Sequence, residues 1–401
     1  MKKLLRNKLL LASVLLSFPL TGCSNEPNYS NFTPGEYDFS FFVESKEISN
    51  IINGIKNEFE NDHDGVKLNI RYIYAGEGNN NSISDLWFSS LGKTEDYLFN
   101  NQIEILDSYY RNDIKDRLAD NCYEAFRHND IFPSFPIGIV PESIFAYDNV
   151  LFEGHNVNNW HDIIDRTNLL VGDYHHAFLN LSPEQYFTLF SSHGVDTIIN
   201  EHDVIDNLNT EQGLQVAKAL SSLLADSSID SGIYSLSDKK YATCTGSIYQ
   251  ADMIEDYFGD NLKYASHLPS LLFEDEYSDW NSTYVTLGLF IKKQNNSDMK
   301  DVLMSFANYI SKCDNLVSSF KNQYYYSVYK DVDRSIGNYD YLKESIKDGK
   351  EYSTYPIDWY YSVRKLINDI KSDNGNLNEE LLMKALNDYH DNVLSLKTSQ
   401  I

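Results

Sequence analysis

Between Tyr37 and Tyr74 the hydrophobic period of the chain changes from two to about 3.6 and back again, which commits it to an α/β fold with a parallel sheet. Tyr37–Val43 is an aromatic-rich run of strand character. Ile48, Ile51, Ile52, Ile55 and Phe59 then recur at helical spacing, and Val66, Leu68, Ile70, Tyr72 and Tyr74 alternate. Two strands joined through a helix run parallel, since a tight turn serves only antiparallel neighbours. The alternation continues downstream. After a turn over Gly76–Ser84, Asp85–Leu91 reads as the next short strand. Trp160–Arg166 reads as a helix, Leu169–Tyr174 as a strand and Pro183–Ser192 as a helix opened by proline. Leu214, Ala217, Leu220 and Leu224 mark an amphipathic helix, Tyr241–Ile248 a strand and Ala251–Phe258 a helix. Thr283–Ile291 reads as a buried strand and Met299–Ser311 as a helix. Sheet signals fade after Tyr324, and helices near Trp359–Ile370 and Glu379–Leu394 finish the chain.

The first residues have a different character. Lys2, Lys3, Arg6 and Lys8 form a basic head, and an apolar run from Leu9 to Leu20 follows. The run is too short for a permanent membrane span and has the plan of a secretion signal. Its ending, Leu20-Thr21-Gly22-Cys23, resembles a lipobox, in which Cys23 would be acylated and become the mature N-terminus; the plainer alternative is an ordinary signal with a chance cysteine. Several acyl chains give stable anchoring. The expected location is extracytoplasmic, lipid-anchored to the cell membrane or outer membrane. The net charge of -26 grows more negative once the basic head is removed. Such a surface repels phosphate backbones, so nucleic acid is not an expected partner. Cys122, Cys244 and Cys313 are odd in number and widely spaced, which suits neither a disulfide framework nor a metal site.

A secreted α/β chain long enough for two cores resembles the type II periplasmic binding proteins, whose chain passes twice between two lobes and whose ligand sits in the cleft. On that resemblance, 1–23 is the signal and 24–36 a spacer; 37–147 with 286–330 form lobe 1, and 148–285 form lobe 2. Residues 331–401 are a C-terminal helical segment expected on lobe 1. The crossings are expected near Ala146–Val150 and Ser282–Val285. The implied partners are a small-molecule ligand and a transporter permease of the ABC class, with no cofactor.

Several segments are similar to thiaminase I (thiamine pyridinylase), a secreted enzyme on the same fold. They are the opening strand–helix–strand, Asp85-Leu86-Trp87-Phe88, the run Pro136–Tyr147, the turn Thr245–Tyr249, and the tail from Tyr326–Tyr329 through Tyr355-Pro356 to Val363-Arg364. The resemblance implies a cysteine nucleophile within 136–147 and a glutamate base. Here those places fall on Val140 or Pro141 and near Tyr249 or Gln250, and a further acid is replaced by Thr286. The expectation is therefore a thiaminase-like protein that binds a small, cationic or aromatic, thiamine-like ligand without catalysis. Expected contacts are Asp85, Trp87, Tyr249, Asp252, Tyr284 and Tyr326. The enzymatic alternative is a thiamine pyridinylase with a relocated nucleophile, Cys244 or Cys122, or with Glu142 as a poor substitute.

Other constellations have plainer readings. Most of the 30 tyrosines stand where Phe would serve, with a few in the cleft. His175-His176 would point to opposite faces of a strand and suit no metal. The acidic run Glu274-Asp275-Glu276 reads as a solvated loop.

Overall fold

The computed structural model describes residues 33–74, 84–119, 122–128, 130–170, 175–199, 204–231, 236, 240–273, 276–313, 316, 326–330, 355, 357–371 and 378–399. The signal segment with Cys23, the spacer up to 32, and Glu274-Asp275 lie outside them.

Lobe 1 opens with β1 (Gly35–Val43), α1 (Lys46–Asp62) and β2 (Val66–Tyr74). Tyr37, Phe39, Phe41 and Val43 are buried, and so are Ile48, Ile52, Ile55 and Phe59 on the facing side of α1. Ser45 caps the helix, its hydroxyl accepting from Ile48 N. β1 and β2 pair in parallel from Gly35–Val66 to Val43–Tyr74. β3 (Leu86–Ser89), α2 (Thr94–Phe99), α3 (Ser108–Arg117) and β4 (Phe135–Pro141) follow.

Lobe 2 begins at β5 (Ser143–Asp148) and continues through α4 (Trp160–Leu169), β6 (His175–Leu179), α5 (Pro183–Ser192), β7 (Thr197–Ile199) and β8 (Val204–Asp206). Next come α6 (Glu211–Ala225), β9 (Ile229–Asp230), β10 (Lys240–Ser247), α7 (Ala251–Phe258), β11 (Leu262–Ala265), β12 (Leu268–Phe273) and β13 (Glu276–Trp280). The chain then returns to lobe 1 as β14 (Tyr284–Ile291), α8 (Ser297–Ser311) and β15 (Tyr326–Ser327), and ends with α9 (Ile357–Ile370) and α10 (Glu379–Ser399). The first sheet has the order β15-β4-β14-β3-β1-β2 and the second β11-β5-β10-β6-β9. Two-stranded β7-β8 and β12-β13 complete the described strands.

One apolar cluster fills lobe 1 and continues under one face of the second sheet, through Ile144, Phe178, Cys244 and Ile254. The opposite face of that sheet, with Phe145, Ala177 and Ala242, joins a second cluster under α4, α5 and α6.

Three expectations are corrected. The first crossing is not at Ala146–Val150 but at Glu142, because β5 already pairs with β10 from Ser143–Ser247 to Tyr147–Thr243. β4 ends at Pro141 and β5 begins at Ser143, with Glu142 bent between them, so the mark the sequence carries at the change of sheet is the proline. The tail packs on lobe 2, not lobe 1. Trp359, Val363, Ile367, Leu386 and Tyr389 share a core with Phe187 and Phe190, and the Phe187 and Trp359 rings meet edge-on at 5.3 Å. Helical spacing shows that a face is buried, not what covers it. Finally, of the strand expected at Leu169–Tyr174, Leu169 ends α4 and is exposed, while 171–174 lie outside the described residues; the next described strand is β6, at His175–Leu179.

Candidate functional site

β3 and β4 are both antiparallel to β14, so their carboxyl ends lie on the same side as the first residue of β14. Open α/β sheets hold ligands beyond the carboxyl ends of their strands. On this side Pro141 leads through Glu142 into β5, and Asn281–Thr283 lead back into β14. The two crossings are bonded together, Glu142 N donating to Thr283 O at 2.9 Å, while Glu142 O accepts from Ile248 N, after β10 of lobe 2, at 3.0 Å. The lobes thus join through two adjacent extended segments, and the half-buried Glu142 side chain stands at the junction.

Polar groups gather at the strand ends around it. From lobe 2, Asn180 follows β6; its N–H donates to Thr245 Oγ1 at 3.0 Å and its Nδ2 to Gln250 Oε1 at 3.2 Å. Gln250 Oε1 also accepts from Ser247 N at 3.0 Å. Glycine at 246 permits this fold-back, since a Cβ there would meet Gln250 Oε1 at 2.8 Å. Gln250 Nε2 and Asn180 Oδ1 keep free hydrogen-bonding capacity among the described residues. From lobe 1, Ser89 Oγ lies 3.2 Å from Tyr97 OH, and Ser90 Oγ accepts from Gly92 N at 3.1 Å. The buried hydroxyls of Ser143 and Thr283, one at each crossing, have no partner among the described residues. The assembly is an acid flanked by amides and hydroxyls, able to exchange hydrogen bonds with a polar ligand.

The expected contacts divide. Tyr284 begins β14 beside the crossings, where Glu142, expected only as a substitute nucleophile, also stands; Tyr249 lies in the turn from β10 to α7, and Asp252, exposed, in the first turn of α7. Asp85 and Trp87 do not reach this place. Asp85 precedes β3, beside Lys292 rather than Tyr284, eight residues or about 25 Å along the direction of β14. Its Oδ2 accepts from Ser40 N at 2.8 Å and from Ser40 Oγ at 2.7 Å, which fastens the start of β3 to β1. Trp87 is 1% exposed, stacked on Phe290 at 5.8 Å and edge-on to Tyr97 at 5.4 Å, so it offers no face to a ligand. Tyr326 pairs with Ile139 at the β15 edge of the first sheet.

Neither alternative nucleophile is poised. Cys244 is 1% exposed, and burial pushes its thiol pKa up, away from thiolate. Cys122 is buried too, and all three described cysteines are free thiols. Val140 is buried within β4. Thr286 is also buried and accepts from Leu91 N at 3.1 Å, a structural bond. Among the described residues no group of three or more His, Cys, Asp or Glu is placed to hold a metal ion. Asn180 is not marked out by the sequence, and Gln250 enters there only as the place of the absent glutamate. The available signal was Asn180 itself, a polar residue between a strand and the Ser182-Pro183 helix start.

No family model and no curated protein matches the sequence. Solved structures do match. A maltodextrin-binding protein from L. casei, without ligand, aligns with a TM-score of 0.70 and 11% identity over 90% of this chain and 99% of its own. An extracellular solute-binding protein from Staphylococcus aureus in complex with maltose gives 0.66 and 12%, covering 93% and 100%. A cyclo/maltodextrin-binding protein complexed with maltotetraose gives 0.67 and 13%, covering 90% and 97%. At these identities the likeness is one of fold: the chain has the two-lobe α/β architecture of periplasmic solute-binding proteins.

Proposed function

We propose that this chain is an extracytoplasmic solute-binding protein, anchored through a lipid on Cys23, that takes a neutral, polyhydroxylated solute of the oligosaccharide class between its lobes and passes it to a membrane transporter. The observation that carries this is the paired crossing, Glu142 N–H to Thr283 C=O, with uncharged donors and acceptors beside it. Two short extended connections allow one lobe to swing against the other without breaking either sheet. Asn180, Gln250, Ser89 and Ser90 present hydrogen-bonding groups of both kinds without net charge, which suits hydroxyls that donate and accept at once. The ligands named for the similar solved structures, maltose, maltotetraose and acarbose, belong to this class.

A cationic, thiamine-like ligand has less support. Asp85 and Trp87, on which that expectation rested, lie away from the crossings, and Glu142 and Asp252 are the acids left to meet a cation. The pyridinylase alternative needs a thiolate, and the buried Cys244 is a poor source of one.

The test is a thermal-shift and small-angle-scattering series on the mature chain with maltose, maltotetraose, monosaccharides and thiamine. A bound saccharide at a hundred times its Kd raises stability by about 2.7 kcal/mol, and closure of the lobes makes the particle more compact. Glu142→Gln should weaken the binding. If no saccharide produces a shift, the carbohydrate assignment falls. Thiamine turnover with aniline that disappears in Cys244→Ser would establish the enzymatic alternative. Cys23→Ser should release the protein from membranes, and wild-type protein that takes up no labelled palmitate would remove the anchor.

A further inference from the structure

We propose that lobe 1 carries a second ligand site, outside the cleft, for a small zwitterion of the free amino-acid type. A trough of about 670 Å³ opens beside the β1–β2 edge of the first sheet. Asp38 and Ser40 of β1 and Asn69 and Arg71 of β2 line it, with Asp85 at one side and Lys56 of α1 at the rim. The parallel register sets Asp38 against Asn69 and Ser40 against Arg71. Neighbouring strands lie about 4.8 Å apart, and same-face positions on one strand about 7 Å apart, so the four side chains leave one small patch of sheet.

The charges in the trough are of both signs, and two of them are unspent. Asp38 and Arg71 occupy diagonal positions, are both exposed, and make no hydrogen bond or ion pair with any described residue. Asp85 is fixed, because Ser40 N and Oγ both donate to its Oδ2. Its Oδ1 lies 3.4 Å from Gln294 Nε2, a long contact that leaves this oxygen able to accept again. Lys56 is already paired, 3.4 Å from Glu60. The trough therefore shows carboxylates from the β1 side and a guanidinium from the β2 side, on diagonal positions about 7–8 Å apart. A ligand with a single charge gains from one side and is repelled by the other. An α-amino acid carries both charges on adjacent atoms: its ammonium meets Asp38 and the outer oxygen of Asp85, and its carboxylate meets the Arg71 fork and the Asn69 amide.

This site does not depend on the cleft assignment. The experiment is calorimetric titration of the mature chain with glycine, alanine and glutamine, with acetate and ethylammonium at matched ionic strength as carriers of one charge each. The amino acids should bind and the single-charge controls should not. Arg71→Gln and Asp38→Asn, both exposed and without partners among the described residues, should each lower the affinity by about tenfold or more at an unchanged melting temperature. Saturating maltotetraose should leave the amino-acid isotherm in place. Absence of heat with every amino acid at 50 mM (about the weakest binding worth testing) would overturn the proposal. So would binding retained in the double variant, or displacement by a cleft ligand.

Discussion

His390→Ala tests how the C-terminal helices are fastened to lobe 2. The Asp206 side chain, on β8, is fully buried, and His390 Nδ1 of α10 lies 2.6 Å from its Oδ2. Thr197 Oγ1 donates to the other oxygen at 2.7 Å. From there the bonds continue: Thr197 Oγ1 lies 2.8 Å from Tyr389 OH, which accepts from Trp359 Nε1 at 2.9 Å, and Tyr355 OH donates to Thr197 O at 2.8 Å. Removing the imidazole deletes a bond to a charged acceptor, in the range of about 1.5–3 kcal/mol, and leaves a buried carboxylate with one partner. Breaking a fully buried pair costs about 3–5 kcal/mol, and the His390 side chain is 22% exposed, so about 2–3 kcal/mol is expected. Urea unfolding measures the loss, and a double-mutant cycle with Asp206→Ala should give a coupling of at least about 1 kcal/mol. A variant within about 0.5 kcal/mol of wild type, with no coupling, would show that the tail does not rest on this pair.

Three further outcomes follow from local geometry. Gly288→Ala places a Cβ at 2.2 Å from Ser134 Oγ and 3.0 Å from Leu91 Cδ1, and overpacking there should cost about 1–3 kcal/mol, read from the urea midpoint. Burial holds the Lys371 pKa down, at about 8, with its ammonium 4.2 Å above the Tyr186 ring. Between that value and the ordinary 10.5 the unfolded chain binds the extra proton, so stability contributed at this site rises with pH across the window. Lys371→Met should remove that rise, seen as a wild-type-minus-variant difference in urea midpoint between those two pH values; a flat difference would refute it. Cys244, buried and with its thiol pKa raised, should resist iodoacetamide at pH 8 in the native protein and react once urea unfolds it, as mass spectrometry of the labelled peptide will show.

The parts of the fold legible in the sequence are those fixed by local periodicity. β1, α1 and β2 follow from neighbouring residues alone, and α5 from Ser182-Pro183, where the structure shows a capping box with Gln185. What depends on distant partners was hidden. The run from Asp85 locates the strand that Trp87 occupies but not which end of it meets the hinge, because alternation reports the face of a strand and nothing of its ends. β6 escaped notice because its two histidines interrupt the apolar pattern, while Leu169 and Leu170 at the end of α4 imitate a strand. Asn180 and Gln250 meet only because β6 and β10 lie side by side in the second sheet, a pairing across more than sixty residues that no spacing announces.

The position of β14 between β3 and β4 bears on the order in which the chain can fold as it emerges, N-terminus first. Leu86 cannot find Ile291, nor Phe135 Leu289, until the whole of lobe 2 has been made. Lobe 2 in turn waits for Trp359, Leu386 and Tyr389 to cover Phe187 and Phe190. Both cores are closed by residues from late in the chain, and loop-closure entropy delays such pairings. A nascent chain of this design stays open until synthesis is nearly over, the condition a polypeptide must keep if it is to be threaded unfolded through a membrane. A chain truncated after Lys330 would part the two lobes in time: lobe 1 could close, and lobe 2 would be left with Phe187 and Phe190 uncovered.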